Sequence, residues 1–149
     1  MQQLYNAVRS AAPANVGLVG GLDWAYDLSG VGAGFALQGT NILYDTHVYT
    51  QWHNTTTDWD AHFGALTTRY PVVATEFGTI DCTSTTTQAL LAYFDAPLGV
   101  VANRMGWTIW SWNSPGECSE PSVVADWSGT PLPGQGQPIH GALLAYGSR

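Results

Sequence analysis

The chain reads as an α/β protein, a parallel sheet with helices packed outside it, and three observations point there. Helical and extended periodicities alternate along the 149 residues. The strand candidates are near-continuous apolar runs, as expected of strands covered on both faces. Polar and aromatic side chains gather at the carboxyl ends of three of those runs, where parallel sheets carry their chemistry.

Taken in order, Leu4, Val8 and Ala11 or Ala12 form a helical stripe, and Asn15 to Val19 is the first strand candidate. A Gly-rich connection from Gly20 to Thr40 leads to a second strand, Asn41 to Tyr49. Thr57 or Asp58 can cap a helix in which Trp59, Phe63, Leu66 and Tyr70 share one apolar face. That helix runs into the third strand, Pro71 to Gly78, which carries Glu76 near its end. Thr85 to Phe94 has helical spacing, Pro97 suits the first position of a further helical turn, and Gly106 to Trp112 is the fourth strand. A loop rich in Pro and Gly then precedes a closing helix, Pro138 to Tyr146.

Composition narrows the class. Hydrophobic residues make up 45% and charged ones 10%, so the chain is globular and its surface is polar through Thr, Ser, Asn, Gln and Gly. There is no Lys, and four Arg against eleven acids leave a net charge of −7, which argues against nucleic acid and anionic membranes as partners. No apolar run approaches the ~20 residues that span a bilayer, and Met1 to Tyr5 lack the basic start and apolar stretch of an export signal. Seven Trp and seven Tyr exceed what so small a core needs, and flat aromatic faces suit sugar rings. No group of His, Cys and carboxylates has metal-ligand spacing, so neither a metal nor another cofactor is expected. Cys82 and Cys118 each follow a strand end; if those strands are parallel neighbours, a disulfide joins the two loops and favours an oxidising compartment.

An apolar run that delivers one acid to a strand end is a means of presenting a nucleophile or a base. His47 and Tyr49, two apart, face the same way along their strand. The segments Tyr44 to Tyr49, Thr75-Glu76-Phe77-Gly78 and Gly106 to Trp112 resemble the sixth, seventh and eighth strands of glycoside hydrolase family 5, the cellulase-like (β/α)8 barrels, and Gly20 to Tyr26 resembles the segment after the fifth strand. The likeness runs from Gln2 to about Tyr146 and covers the second half of that family's domain, so that residues 1–149 form a single half-barrel domain.

The resemblance implies a β-glucan or other glycan as substrate, with Glu76 as the nucleophile of a retaining cellulase or endo-β-1,4-glucanase. His47 and Tyr49 would hydrogen-bond Glu76 and the sugar in the cleavage subsite, and Trp110 would be the platform beneath that sugar. Trp24, Trp112 and Trp52 are weaker candidates for neighbouring subsites. Asp23, Asp27, Asp45, Glu117 and Glu120 are expected to be solvated loop acids or caps. Secretion is implied by the family. Its general acid, a Glu after Asn on the fourth strand, has no counterpart here, which implies weak or absent activity; the alternative is a silent glycan-binding half-barrel or a fragment that self-assembles. Four strands with two open edges also imply a homodimer that closes the barrel. In that dimer two Glu76 carboxylates would face each other across the barrel mouth, and one could serve as an acid if they approach to the ~5–9 Å that glycosidases use.

Overall fold

The computed structural model describes residues 1–96, 105–114 and 116–148. Four parallel strands pair in chain order, β1 (Gly17–Gly20), β2 (Ile42–Tyr49), β3 (Val72–Gly78) and β4 (Gly106–Trp107). Helices α1 (Gln2–Ala11), α2 (Thr56–His62), α3 (Thr85–Asp95) and α4 (Gly136–Gly147) complete the chain. This is the four-strand α/β arrangement expected of a partial (β/α)8 barrel. The helical turn expected at Pro97 lies outside the described residues.

Alternation along β2 separates two faces. Tyr44, Thr46 and Val48 are buried toward the helix layer. There they join Trp59 and Phe63 of the α2 region, Ala74 and Phe77 of β3, and Leu90 and Phe94 of α3. Phe77 meets Phe94 edge-on at 5.2 Å and Trp107 at 5.5 Å, geometries that aromatic quadrupoles favour. Asp45, His47 and Tyr49 occupy the opposite face, which in a closed barrel is the interior.

The helix expected through Trp59 and Tyr70 is shorter and breaks. Its cap is Thr55, whose hydroxyl accepts from the Asp58 N–H at 3.2 Å, so Thr57 and Asp58 already lie in the first turn. Asp58 there complements the helix dipole. The α-helix stops at His62, and a 3₁₀ segment, Gly64–Thr68, follows. Gly64 sits at the break, and only glycine fits there: a Cβ on it would stand 1.6 Å from the Tyr93 hydroxyl, which donates to Asp60 Oδ1 at 2.6 Å. Glycine is also a poor interior helix former.

The fourth strand is likewise shorter than Gly106 to Trp112. Its ladder ends at Trp107, because beyond it the backbone is shared between β3 and a later loop. The Thr108 and Trp110 N–H groups still reach Ala74 and Phe77 carbonyls at 2.8 and 3.0 Å, but Ser111 donates to Pro121.

The expected stripe on α1 is present, yet none of that helix is buried: Leu4 is 61% and Val8 53% exposed. Polar ties dock it instead. Arg9 reaches the Ala12 and Pro13 carbonyls at 3.1 and 2.9 Å and Thr40 O at 3.0 Å, and Tyr5 donates to Thr40 O at 2.7 Å. Leu18 on the edge strand β1 is also exposed, and its register opposite Leu43 puts it on the face of Asp45. Cys82 and Cys118 form a disulfide, Cα–Cα 4.9 Å, that joins the loops after the neighbouring strands β3 and β4. No helix of the described residues is long and apolar enough to cross a membrane.

Candidate active site

Strand parity alone would turn Glu76 the wrong way. Val72 and Ala74, of the same parity, are buried toward the helix layer, and strict alternation would put Glu76 with them. The β2–β3 register slips between Asp45, opposite Val73, and His47, opposite Glu76. One extra residue on β3 is a bulge, and a one-residue slip exchanges faces. Glu76 thereby joins His47 and Tyr49, while Phe77 returns to the core.

The resulting contacts run in a line. The Tyr49 hydroxyl donates to Glu76 Oε1, and His47 Nδ1 stands 3.4 Å from Glu76 Oε2. His47 Nε2 lies 3.2 Å from Asp45 Oδ2. Asp45 Oδ1 accepts from the Thr75 N–H at 3.1 Å and the Thr75 hydroxyl at 2.6 Å. Burial of Tyr49, with its hydrogen bond to the Glu76 carboxylate and that negative charge, holds the phenol above its ordinary range, so it remains a neutral donor.

Asp45 is therefore not the solvated acid its type suggested. It is 8% exposed and fixes one side of the His47 ring while Glu76 takes the other. Its place two residues before His47 was the available signal, since i and i+2 share a strand face. Asp27 does act as a cap, accepting from the Ser29 N–H at 2.8 Å, and Glu117 and Glu120 are exposed.

Glu76, His47, Tyr49 and Trp24 line one cleft of about 890 Å³, together with Asp23, Tyr26, Gln51, Trp52 and His53. Trp110 and Trp112 line a neighbouring cleft of about 580 Å³ with Asn113 and Glu120. The structure thus gathers the sequence candidates into two adjoining clefts rather than one. Trp24 is 91% and Trp52 73% exposed, so neither serves as core. Three consecutive residues, Asp23, Trp24 and Ala25, have positive φ (50°, 50° and 71°), a strained turn that holds Trp24 out.

The wall beside Trp52 is built by a cluster that sequence reasoning missed. Tyr26 stacks on His53 at 3.5 Å and donates to Asp58 Oδ2 at 2.6 Å. His53 Nδ1 and His62 Nδ1 face the same carboxylate at 2.9 and 3.0 Å. Burial works against ionisation of Asp58, but the hydrogen bonds of Tyr26 and His53 and the two imidazoles hold its carboxyl below the usual value. Burial, then the Asp58 carboxylate, pushes Tyr26 well up. Asp58 and His62 share a helix face at i and i+4, but no periodicity connects them to residues 26 and 53, so no sequence signal marked the cluster. Gln51 also lines this cleft, and its buried Oε1 has no hydrogen-bond partner among the described residues.

Solved structures share this fold. The native β-glucanase SdGluc5_26A of Saccharophagus degradans superposes with a TM-score of 0.81 at 22% identity, over 97% of this chain and 46% of its own. The catalytic domain of Thermobifida fusca endoglucanase Cel5A in complex with cellotetraose gives 0.69 at 20% identity, over 95% of this chain and 50% of its own. The chain spans about half the length of these structures. No curated protein matches it. The sequence profile described as Cellulase (glycosyl hydrolase family 5) matches residues 1–116, more than three quarters of the chain. The chain belongs to glycosyl hydrolase family 5, the cellulase family, and forms a four-strand partial barrel of its catalytic domain.

Proposed function

We propose that residues 1–149 form one domain corresponding to the last four strands of the barrel, and that its site is that of a secreted, retaining β-glucanase of the endo-β-1,4 type. Glu76 is the nucleophile, attacking the anomeric carbon to form a covalent glycosyl intermediate. Tyr49 and His47 each reach one oxygen of its carboxylate and orient it, and Asp45 orients His47. Trp110 stacks beneath the sugar at the point of cleavage, and Trp24 and Trp112 line neighbouring subsites. The observation that carries this reading is the bulge-driven meeting of Glu76, His47 and Tyr49 in one cleft. Glycan as the ligand is supported by the four exposed tryptophans of the two clefts and by the β-glucanase and endoglucanase names of the similar structures.

The general acid belongs to strands that lie in the other half of the barrel. Residues 1–149 assayed by themselves lack its contribution, a term of roughly 10²–10⁴-fold in protonating the leaving oxygen. Hydrolysis therefore favours activated leaving groups: an aryl β-glucoside is cleaved faster than a soluble β-glucan. Glu76→Gln abolishes both; unchanged cleavage by that variant removes Glu76 from the mechanism.

The bare α1 stripe and the exposed β1 edge support a second proposal, that two copies of this chain close the barrel about a two-fold axis. The two identical Glu76 carboxylates then face each other across the mouth. Sedimentation of the 149-residue chain gives a dimer on this view, and a monodisperse monomer excludes it.

A further inference from the structure

We propose that Gln135, at the start of α4, is a positioning residue for Trp110. This rests on reading Trp110 as a glycan platform. Gln135 is 2% exposed, and its amide spans two elements: Oε1 accepts from the Thr79 N–H at 2.7 Å, and Nε2 donates to the Trp110 carbonyl at 2.8 Å. Thr79 directly follows β3, the strand of Glu76, so one side chain ties the end of that strand to the aromatic residue beside it.

The tie matters because the β-ladder no longer holds Trp110. The ladder ends at Trp107, and after it Trp110 keeps only its own N–H bond to Phe77 O. Ser111 leaves for Pro121, pulling the backbone away from β3. Gln135 supplies the carbonyl side of the restraint that a longer strand would have given.

Gln135 is itself held from behind. A Cβ on the adjacent Gly136 would lie 2.0 Å from Val123 O, so the turn into α4 is wedged against the 123 segment. The Leu132 N–H donates to the Val123 carbonyl at 3.0 Å, and the Val123 N–H to Ser111 O at 3.0 Å. The fixed turn, the amide and the Trp110 carbonyl thus form one rigid path. A buried amide is required at both ends, since a carboxylate would oppose the Trp110 carbonyl and an apolar side chain would leave Thr79 N–H and Trp110 O unpaired.

The test uses the full chain labelled with ¹⁵N, in which Trp110→Phe assigns the Trp110 indole resonance. Gln135→Glu and Gln135→Met are each expected to shift or broaden that resonance while those of Trp24 and Trp52, in the other cleft, stay put. Each variant should weaken cellotetraose binding by about tenfold, the scale of one lost buried hydrogen bond. On a Trp110→Ala background the further loss should be less than about twofold, because a residue acting through Trp110 has nothing left to position. An unmoved Trp110 resonance, or losses that add on that background, overturns the proposal. A wild-type chain that does not bind cellotetraose counts against the glycan site itself, and the Trp110 resonance alone then decides the positioning claim. Should both variants fail to fold, slow exchange of a Gln135 side-chain proton in the wild type supports the tie and fast exchange refutes it.

Discussion

Asp45→Asn separates the roles of the buried carboxylate under His47. The variant keeps an oxygen in the Oδ1 position, so the bonds from Thr75 N–H at 3.1 Å and Thr75 hydroxyl at 2.6 Å survive. It replaces Oδ2, 3.2 Å from His47 Nε2, with an amide NH₂ that donates where an acceptor is needed. Hydrogen bonds to charged groups contribute about 1.5–3 kcal/mol. The His47 side chain is 27% exposed, which weakens the interaction through solvent. Discounted for that exposure, the effect falls to about 1–2 kcal/mol, equivalent to roughly 5–30-fold in whatever depends on the ring's orientation. The assay is turnover of an activated aryl β-glucoside, read beside the thermal midpoint. A fall of that size in kcat with a nearly unchanged midpoint is expected. Unchanged turnover would show that Asp45 does not hold His47 for catalysis. A collapse of the midpoint without the catalytic loss would mean that the buried carboxylate supports the fold rather than the setting of His47 for catalysis.

Two further outcomes concern other parts of the molecule. Asp58 has its folded pKa depressed by Tyr26, His53 and His62, so its contribution to stability is present above the ordinary carboxylate value and lost as pH falls through the folded one. Asp58→Asn should accordingly be less stable than wild type at pH 7 and lose that difference as pH falls below about 4, with denaturant midpoints as the measure; a gap that stays constant with pH removes Asp58 as its source. Gly64→Ala forces a Cβ against the Tyr93 hydroxyl in a packed site, costing about 2–4 kcal/mol from overpacking and the strained Tyr93–Asp60 bond. A thermal midpoint lower by roughly 5–15 °C is expected, and an unchanged one means that the aromatic layer yields freely.

The layout of the fold was legible because it rests on local periodicity. The three longer strands were read to within two residues, and the parallel order followed from their unbroken apolar character. Two lengths were misread for tertiary reasons. The stripe through Trp59, Phe63, Leu66 and Tyr70 is continuous in sequence, but the α-helix gives way to a 3₁₀ segment at Gly64, the glycine against which Tyr93 packs. Gly106 to Trp112 looks like one strand, yet the ladder closes after Trp107 because Ser111 is engaged elsewhere.

Glu76, His47 and Tyr49 were singled out by residue type and strand position, and the structure brings the three into one cleft. The site was not legible where only three-dimensional contact assigns a role. The β3 bulge that turns Glu76 inward has no sequence mark, and without it the same letters would bury that acid against α3. Asp45 was passed over because an acid beside a strand usually faces water, whereas here two Thr75 bonds offset its burial. Tyr26, His53 and Asp58 come from three separate segments, and Gln135 reaches Thr79 across 56 positions.

Covalent capture of Glu76 tests the catalytic assignment most directly. A 2-deoxy-2-fluoro-β-glucoside with an activated leaving group slows hydrolysis of the glycosyl intermediate, and mass spectrometry of the digested chain then locates the sugar. A single adduct on the peptide bearing Glu76, absent from Glu76→Gln, is the expected result. An adduct on another carboxylate, or turnover with no adduct at all, would contradict Glu76 as the nucleophile.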